Sequence, residues 1–259
     1  MLGSWVGLTM PQERESADAL PKPLVRAAQR LLVLDIEGGG QDTWLWEQAR
    51  RIAATAQMLA LLPEAREIGD DPPDLAAIAA GGLFLNAGWA VQVRDGSVDR
   101  WRILSRPTSD ILREFGAGLL QEHAADLLPA EVVQRAVAAI RECNDRFTRL
   151  PEARALAEAE NLDEIGITYI LRQFRNFQAE GRSIQQLIVN WTRQNEYHYW
   201  EARVNDCLRW ETSRHIARER LKVVEVFMNA LARDLSATDL RRVFDTSGLD
   251  ASRLVDLPA

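Results

Sequence analysis

Apolar residues recur along most of this chain at spacings of three and four. From Pro23 onward, Leu24, Ala27, Ala28, Leu31 and Leu32 share one helical face, and Gly38-Gly39-Gly40 halts the run. A second helix opens at Asp42 or Thr43, both suited to an N-cap. Its stripe is Leu45, Ala49, Ile52, Ala53, Ala56, Leu59 and Ala60, and Pro63 closes it. A third helix, from Ala76 to about Trp89, is rich in Ala and Gly, so neighbouring helices can approach it closely; this predicts a central element. Over 90–104 the period changes. Val91 and Val93 alternate with Gln92 and Arg94, Asp95-Gly96 follows, then Val98, Trp101 and Ile103, which predicts a two-stranded ribbon. After Pro107, Thr108-Ser109 caps a helix running to about Ala125. Further helices are expected over 130–146, 152–180 with a break near Gly166, 183–208 and 212–235, with a short one over 237–244. Residues 1–22 read as a loose arm, 23–236 as one helical domain, and 237–259 as a short helix and tail. The expected class is all-α, a bundle of about eight helices with one small β-hairpin.

Composition narrows the chemistry. The chain of 259 residues holds three histidines (His123, His198, His215) and two cysteines (Cys143, Cys207), too few for a disulfide scaffold or a zinc finger. A net charge of −7 disfavours nucleic acid, whose phosphates call for a basic footprint. No apolar run approaches the roughly 20 residues that span a bilayer, and MLGSWVGLTM lacks the basic start of a signal peptide. The expectation is a cytoplasmic protein with reduced thiols and with neither a membrane nor a nucleic-acid partner.

Local motifs are sparse. The triple glycine lacks the Lys-Ser/Thr of a phosphate loop, and no Gly-x-Ser-x-Gly elbow occurs. Cys143 lies in a helical pattern and reads as a buried thiol. The aromatic tract Glu196 to Glu201 reads as helix packing rather than a stacking platform. Arg214, His215, Arg218, Arg220 and Lys222 interleave with Glu211, Glu219 and Glu225, the pattern of an ion-paired helix face. The most informative feature is acidic: Glu152, Glu158, Glu160, Asp163 and Glu164. Glu160 shares a helical face with Asp163 and Glu164, and such carboxylates either hold a hard cation, work as acid and base, or form a solvated surface.

Three segments together resemble the HD-domain superfamily of metal-dependent phosphohydrolases, particularly its small bacterial hydrolases. Trp46-Glu47-Gln48-Ala49-Arg50-Arg51-Ile52-Ala53 is similar to the first motif helix, which opens with a histidine. The stretch from Ala77 to Trp89, Ala-Ile-Ala-Ala-Gly-Gly-Leu-Phe-Leu-Asn-Ala-Gly-Trp, resembles the helix ending in the His-Asp pair. Glu152 to Gly166, with Glu158-Ala159-Glu160-Asn161-Leu162-Asp163 inside it, resembles the late Asp-Ala-Asp-x-Leu-Asp segment. Tyr197 to Phe227 is similar to the C-terminal helical hairpin, so the resemblance covers about residues 42–232.

In that register the metal ligands are replaced. The first histidine falls on Trp46, the His-Asp pair on Leu85 and Asn86, and the late aspartate on Glu160. Additional histidines of the family fall around Cys143-Asn144. Trp and Leu offer no lone pair to a metal, and Asn only a neutral carbonyl. The resemblance therefore implies the fold without the family chemistry: a binding, scaffolding or regulatory module with no metal and no cofactor. Trp46 and Leu85 would fill the cleft, Arg50 and Arg51 would contact a ligand, and the partner would be a small molecule, a protein or a second copy. The alternative is a relocated phosphohydrolase whose cation is held by Asp145, Glu158, Glu160 and Asp163 alone.

Overall fold

The computed structural model describes residues 19–68 and 72–248. Twelve α-helices and one two-stranded hairpin make up the described part, an all-α bundle with a small β-hairpin. Most of the arm (1–18) and of the tail (249–259) lie outside the described residues.

The chain opens with α1 (Lys22–Leu32), then β1 (Leu34–Ile36) and β2 (Gly40–Asp42). The strands pair antiparallel, Leu34 opposite Asp42 and Ile36 opposite Gly40. The ribbon expected over 90–104 is therefore misplaced. Residues 87–94 are helical, Asp95-Gly96 turns, and Arg100–Arg102 forms a 3-10 turn. Gly38 and Gly39 sit at φ +92° and +91°, a conformation open to glycine, so the triple glycine builds the hairpin turn rather than merely stopping a helix. Three-residue strands are too short to show alternation, and Val91 and Val93 suit a helix as well as a strand.

The core is built on α2 (Trp44–Ala60), α3 (Leu75–Phe84) and α7 (Pro151–Asp163). Around them lie α4 (Ala87–Arg94), α5 (Asp110–Ala124) and α6 (Ala130–Glu142). α3 is apolar all round and buried from Ala77 to Phe84, as a helix enclosed on every side must be. Leu75–Arg94 has the length and apolarity of a bilayer span, contrary to the expectation above, but 72% of it is buried inside the protein. It is a core element, broken between α3 and α4 at Leu85-Asn86.

The remaining helices are α8 (Ile167–Ala179), α9 (Ile184–Glu196), α10 (Tyr199–Cys207), α11 (Glu211–Ser236) and α12 (Thr238–Ser247). Gly166, at φ +135°, makes the expected break between α7 and α8. His198, left-handed at φ +52°, divides the single helix expected over 183–208 into α9 and α10.

Asp42 holds the hairpin to the bundle. Its carboxylate caps α2 through the Trp44 N–H (3.1 Å), pairs with Arg175 of α8, and lies 3.6 Å from Arg100. Burial alone would raise its pKa, but these hydrogen bonds and charges hold it below the usual aspartate range. Asp42→Asn is expected to lose about 2 kcal/mol at neutral pH, the scale of a hydrogen bond to a charged group. A depressed folded pKa means the stabilisation is present above the ordinary pKa of about 3.9 and lost as pH falls through the folded value. Denaturant unfolding at neutral and acid pH checks this: the gap between the two proteins closes in acid.

Candidate functional site

The break between α3 and α4 brings the polar interior together. Asn86 occupies the position before α4 and is 2% exposed. Its amide nitrogen donates to Glu160 Oε1 (3.1 Å) and to Gln48 Oε1 (3.3 Å). Its oxygen accepts from Thr108 Oγ1 (2.8 Å) and Arg113 Nη1 (3.1 Å). All four bonds available to an asparagine side chain are thus made. The Thr108 hydroxyl in turn accepts from Trp89 Nε1 at 3.0 Å.

Arg113 is the centre of this cluster and is 1% exposed. Its guanidinium donates to the Leu85 carbonyl (3.0 Å), to Asn86, to the Glu160 carboxylate, and through two nitrogens to Asn144 Oδ1 (3.4 Å each). Asn144 is held by its own amide on the Thr108 carbonyl (3.0 Å) and Asp110 Oδ1 (2.8 Å). Burial, the largest single influence, would lower the pKa of Arg113, but the charge and hydrogen bond of Glu160 together with the neighbouring Cys143 and Asp110 make the net shift upward. A guanidinium stays protonated in any case. The arrangement is therefore a permanent cation inside a shell of oxygens drawn from the α3–α4 break, α7 and the residues after α6.

Beside this shell opens a polar cleft of about 340 Å³, lined among others by Glu160, Glu164, Arg203 and both cysteines. The Cys143 sulfur lies 4.0 Å from Glu160 Oε2. Burial pushes its thiol up to about 12, eased by Arg113 and reinforced by Glu160. It is a protonated, unreactive thiol at neutral pH. Glu164 is paired with both Arg172 (3.3 Å) and Arg203.

The residues singled out from the sequence fare differently. Asn86 and Glu160 meet. Leu85 contributes only its carbonyl, because its side chain is fully buried in the apolar core. Trp46 does not fill the site. It lines a separate cleft of about 720 Å³ with Leu20, Val25, Arg50 and Arg51, and Arg50 stacks over its ring at 5.8 Å. Gln48, two residues on and 1% exposed, takes the position expected for Trp46. Two residues are a rotation of roughly 200° on a helix with 3.6 residues per turn. Arg51 is committed to Asp163 through two hydrogen bonds (2.8 and 3.3 Å).

The carboxylates proposed as a relocated cation site do not converge, which corrects that expectation. Glu158 turns to the start of α11, accepting the Arg209 N–H at 2.6 Å. Burial raises its pKa, against the hydrogen bond from the Arg209 N–H. Asp163 faces Arg51, and Asp145 caps its own turn through the Phe147 N–H (2.8 Å). Glu152, fully buried, ties α7 to Arg135 and the Asp74 N–H. Among the described residues no three His, Cys, Asp or Glu side chains are placed to hold a metal.

Arg113, Gln48 and Thr108 were missed by sequence reasoning. The first two carried a signal: Arg113 lies on a stripe with Ala117, Leu120 and Ala124, and Gln48 on one with Leu45, Ile52 and Ala56. A charge or amide on a buried stripe marks a polar interior. Comparison with family models, curated proteins and solved structures gives no match.

Proposed function

We propose that this chain is a degenerate HD-domain protein, a non-catalytic module that binds, scaffolds or regulates. The observation that carries the reading is Arg113. In the proposed register, its guanidinium is surrounded by the oxygens of Leu85, Asn86, Glu160 and Asn144, where the family would hold a metal. The donor set fits no transition metal: two neutral amides, a backbone carbonyl and one carboxylate already neutralised by arginine. No side chain of the cluster is left as a free base, since Glu160 is paired and Cys143 is held protonated. The cleft beside the cluster is the binding surface in this reading, for a small molecule or a protein segment. We take the compartment to be the cytoplasm, because both cysteines are free thiols and reduced thiols persist there.

Metal analysis tests the proposal. The purified chain, incubated with Mn²⁺, Fe²⁺, Zn²⁺ or Ni²⁺ and desalted, is expected to retain far less than one metal per chain. It is also expected to leave nucleoside phosphates intact in Mg²⁺ or Mn²⁺. One tightly held metal per chain, abolished by Glu160→Ala, would overturn the reading.

A further inference from the structure

We propose that the cleft where α2, α7, α8 and α11 meet binds a small phosphate monoester. The cleft encloses about 450 Å³, the size of a small-molecule site. Arg51, Thr55, Asp163, Thr168 and Arg220 supply its polar groups. The first observation is an imbalance of charge. Around the end of α7, Arg51, Arg172, Arg203 and Arg220 are grouped about two carboxylates. Asp163 takes Arg51 (2.8 Å), and Glu164 is shared by Arg172 (3.3 Å) and Arg203. Glu160 is already matched by Arg113. Four guanidiniums against two carboxylates leave two positive charges in excess, in a chain whose net charge is −7. The Leu162 and Ile165 carbonyls accept from Arg220 Nη1 (2.5 and 3.5 Å), but a helix C-terminus supplies only about half a negative charge. Burial, with the charge of Arg51, holds Arg220 below the usual arginine range in spite of Asp163.

The donors left over set the ligand class. Arg220 spends one nitrogen on the two carbonyls, and Arg51 spends two on Asp163. Arg220 Nε and Nη2, Arg51 Nη1 and the hydroxyls of Thr55 and Thr168 have no acceptor among the described residues. A phosphate monoester carries about −1.5 to −2 charge at neutral pH and three strong acceptor oxygens. That charge offsets the excess, and those oxygens suit two guanidinium edges and two hydroxyls. A carboxylate brings a single charge and two oxygens, and a metal cation is repelled. Ile167 and Val223 give the cleft an apolar side for the organic part of the ester. None of the five polar lining residues belongs to the Arg113 cluster, so the inference stands apart from the proposed function.

Calorimetric titration of the full chain tests it, with phenyl phosphate as the probe and benzoate and benzyl alcohol as comparisons. Phenyl phosphate is expected to bind once per chain at submillimolar concentration, about tenfold or more tighter than benzoate, and benzyl alcohol not at all. Arg220→Gln is expected to weaken phenyl phosphate about tenfold or more, the loss of a hydrogen bond between charged groups. Arg220 also holds the end of α7, so a second variant guards against a folding defect. Thr55→Val with Thr168→Val keeps side-chain size and removes only the hydroxyls; affinity should fall about fivefold or more while the melting temperature of the free protein is unchanged. Cys207→Ser, in the cleft beside the Arg113 cluster, should leave affinity as it is. No saturable binding, benzoate as tight as phenyl phosphate, or a phosphoserine peptide tighter than phenyl phosphate would each overturn the proposal. So would full affinity in the Arg220 or the threonine variant, or a loss in Cys207→Ser as large as in Arg220→Gln.

Discussion

Arg113→Ala is expected to cost about 3–5 kcal/mol of folding stability, the range for removing one partner of a buried ion pair. The variant leaves Glu160 beside an empty space and strips a donor from the Leu85 carbonyl, Asn86 Oδ1 and Asn144 Oδ1 together. The Leu85 carbonyl loses its arginine donor in the interior, a loss of about 1–3 kcal/mol, whereas Asn86 Oδ1 keeps the Thr108 hydroxyl and the exposed Asn144 turns to water. Arg113→Lys is expected to rescue little, because a single ammonium cannot reach four acceptors arranged around a planar fork. Adding Glu160→Gln to Arg113→Ala removes the uncompensated charge and should recover part of the loss. A double-mutant cycle by urea unfolding reads the coupling, which for residues in one network is about 0.5–3 kcal/mol. An Arg113→Ala protein within 1 kcal/mol of the parent would show that the guanidinium is not the organising cation.

How much of this was legible beforehand depends on the signal each feature leaves in the sequence. Long amphipathic runs such as Leu45 to Ala60 and Leu112 to Ala124 announce their helices, because a core on one side forces a period near 3.6 on the apolar residues. The hairpin is all but invisible in the sequence, since three-residue strands carry almost no periodicity and owe their geometry to Gly38 and Gly39. In the polar cluster Asn86 meets Glu160 and Gln48, while Trp46 lines a separate cleft. The apolar stripe on α2 is broad enough to admit either rotation, and only the packing of α3 against it selects Gln48. The α5 stripe marks Arg113 as buried, but its partners lie 27 to 47 residues away in sequence, so the pattern does not name them. A buried arginine acquires meaning only from acceptors that tertiary structure brings to it.

Gly88→Ala is expected to cost about 3 kcal/mol or more, the upper range for inserting a methyl into a packed interior. A β-carbon at Gly88 would stand 2.3 Å from the Leu112 carbonyl oxygen and 2.9 Å from the Leu112 Cα. These are backbone atoms, so no side-chain rotation makes room and α4 must move away from α5. Gly116 marks the adjoining contact of α5 with the end of α3, where a β-carbon would lie 2.5 Å from the Phe84 carbonyl oxygen. The close approach has a consequence for the polar cluster. Arg113 follows Leu112 directly, so the helix contact that only glycine permits also delivers the guanidinium to Leu85 and Asn86. Displacing α5 by a fraction of an ångström therefore lengthens several hydrogen bonds at once. Gly118→Ala is the control: it lies on the same helix with open space around it, and replacing a mid-helix glycine there should stabilise by about 0.5–1 kcal/mol. At roughly 2–4 °C per kcal/mol for a chain of this size, thermal unfolding separates the two variants by about 7–16 °C. In the Arg113→Ala background the Gly88→Ala penalty should shrink, because the bonds it would have strained are already gone. Equal penalties in the two backgrounds would mean that the helix crossing and the polar cluster are independent.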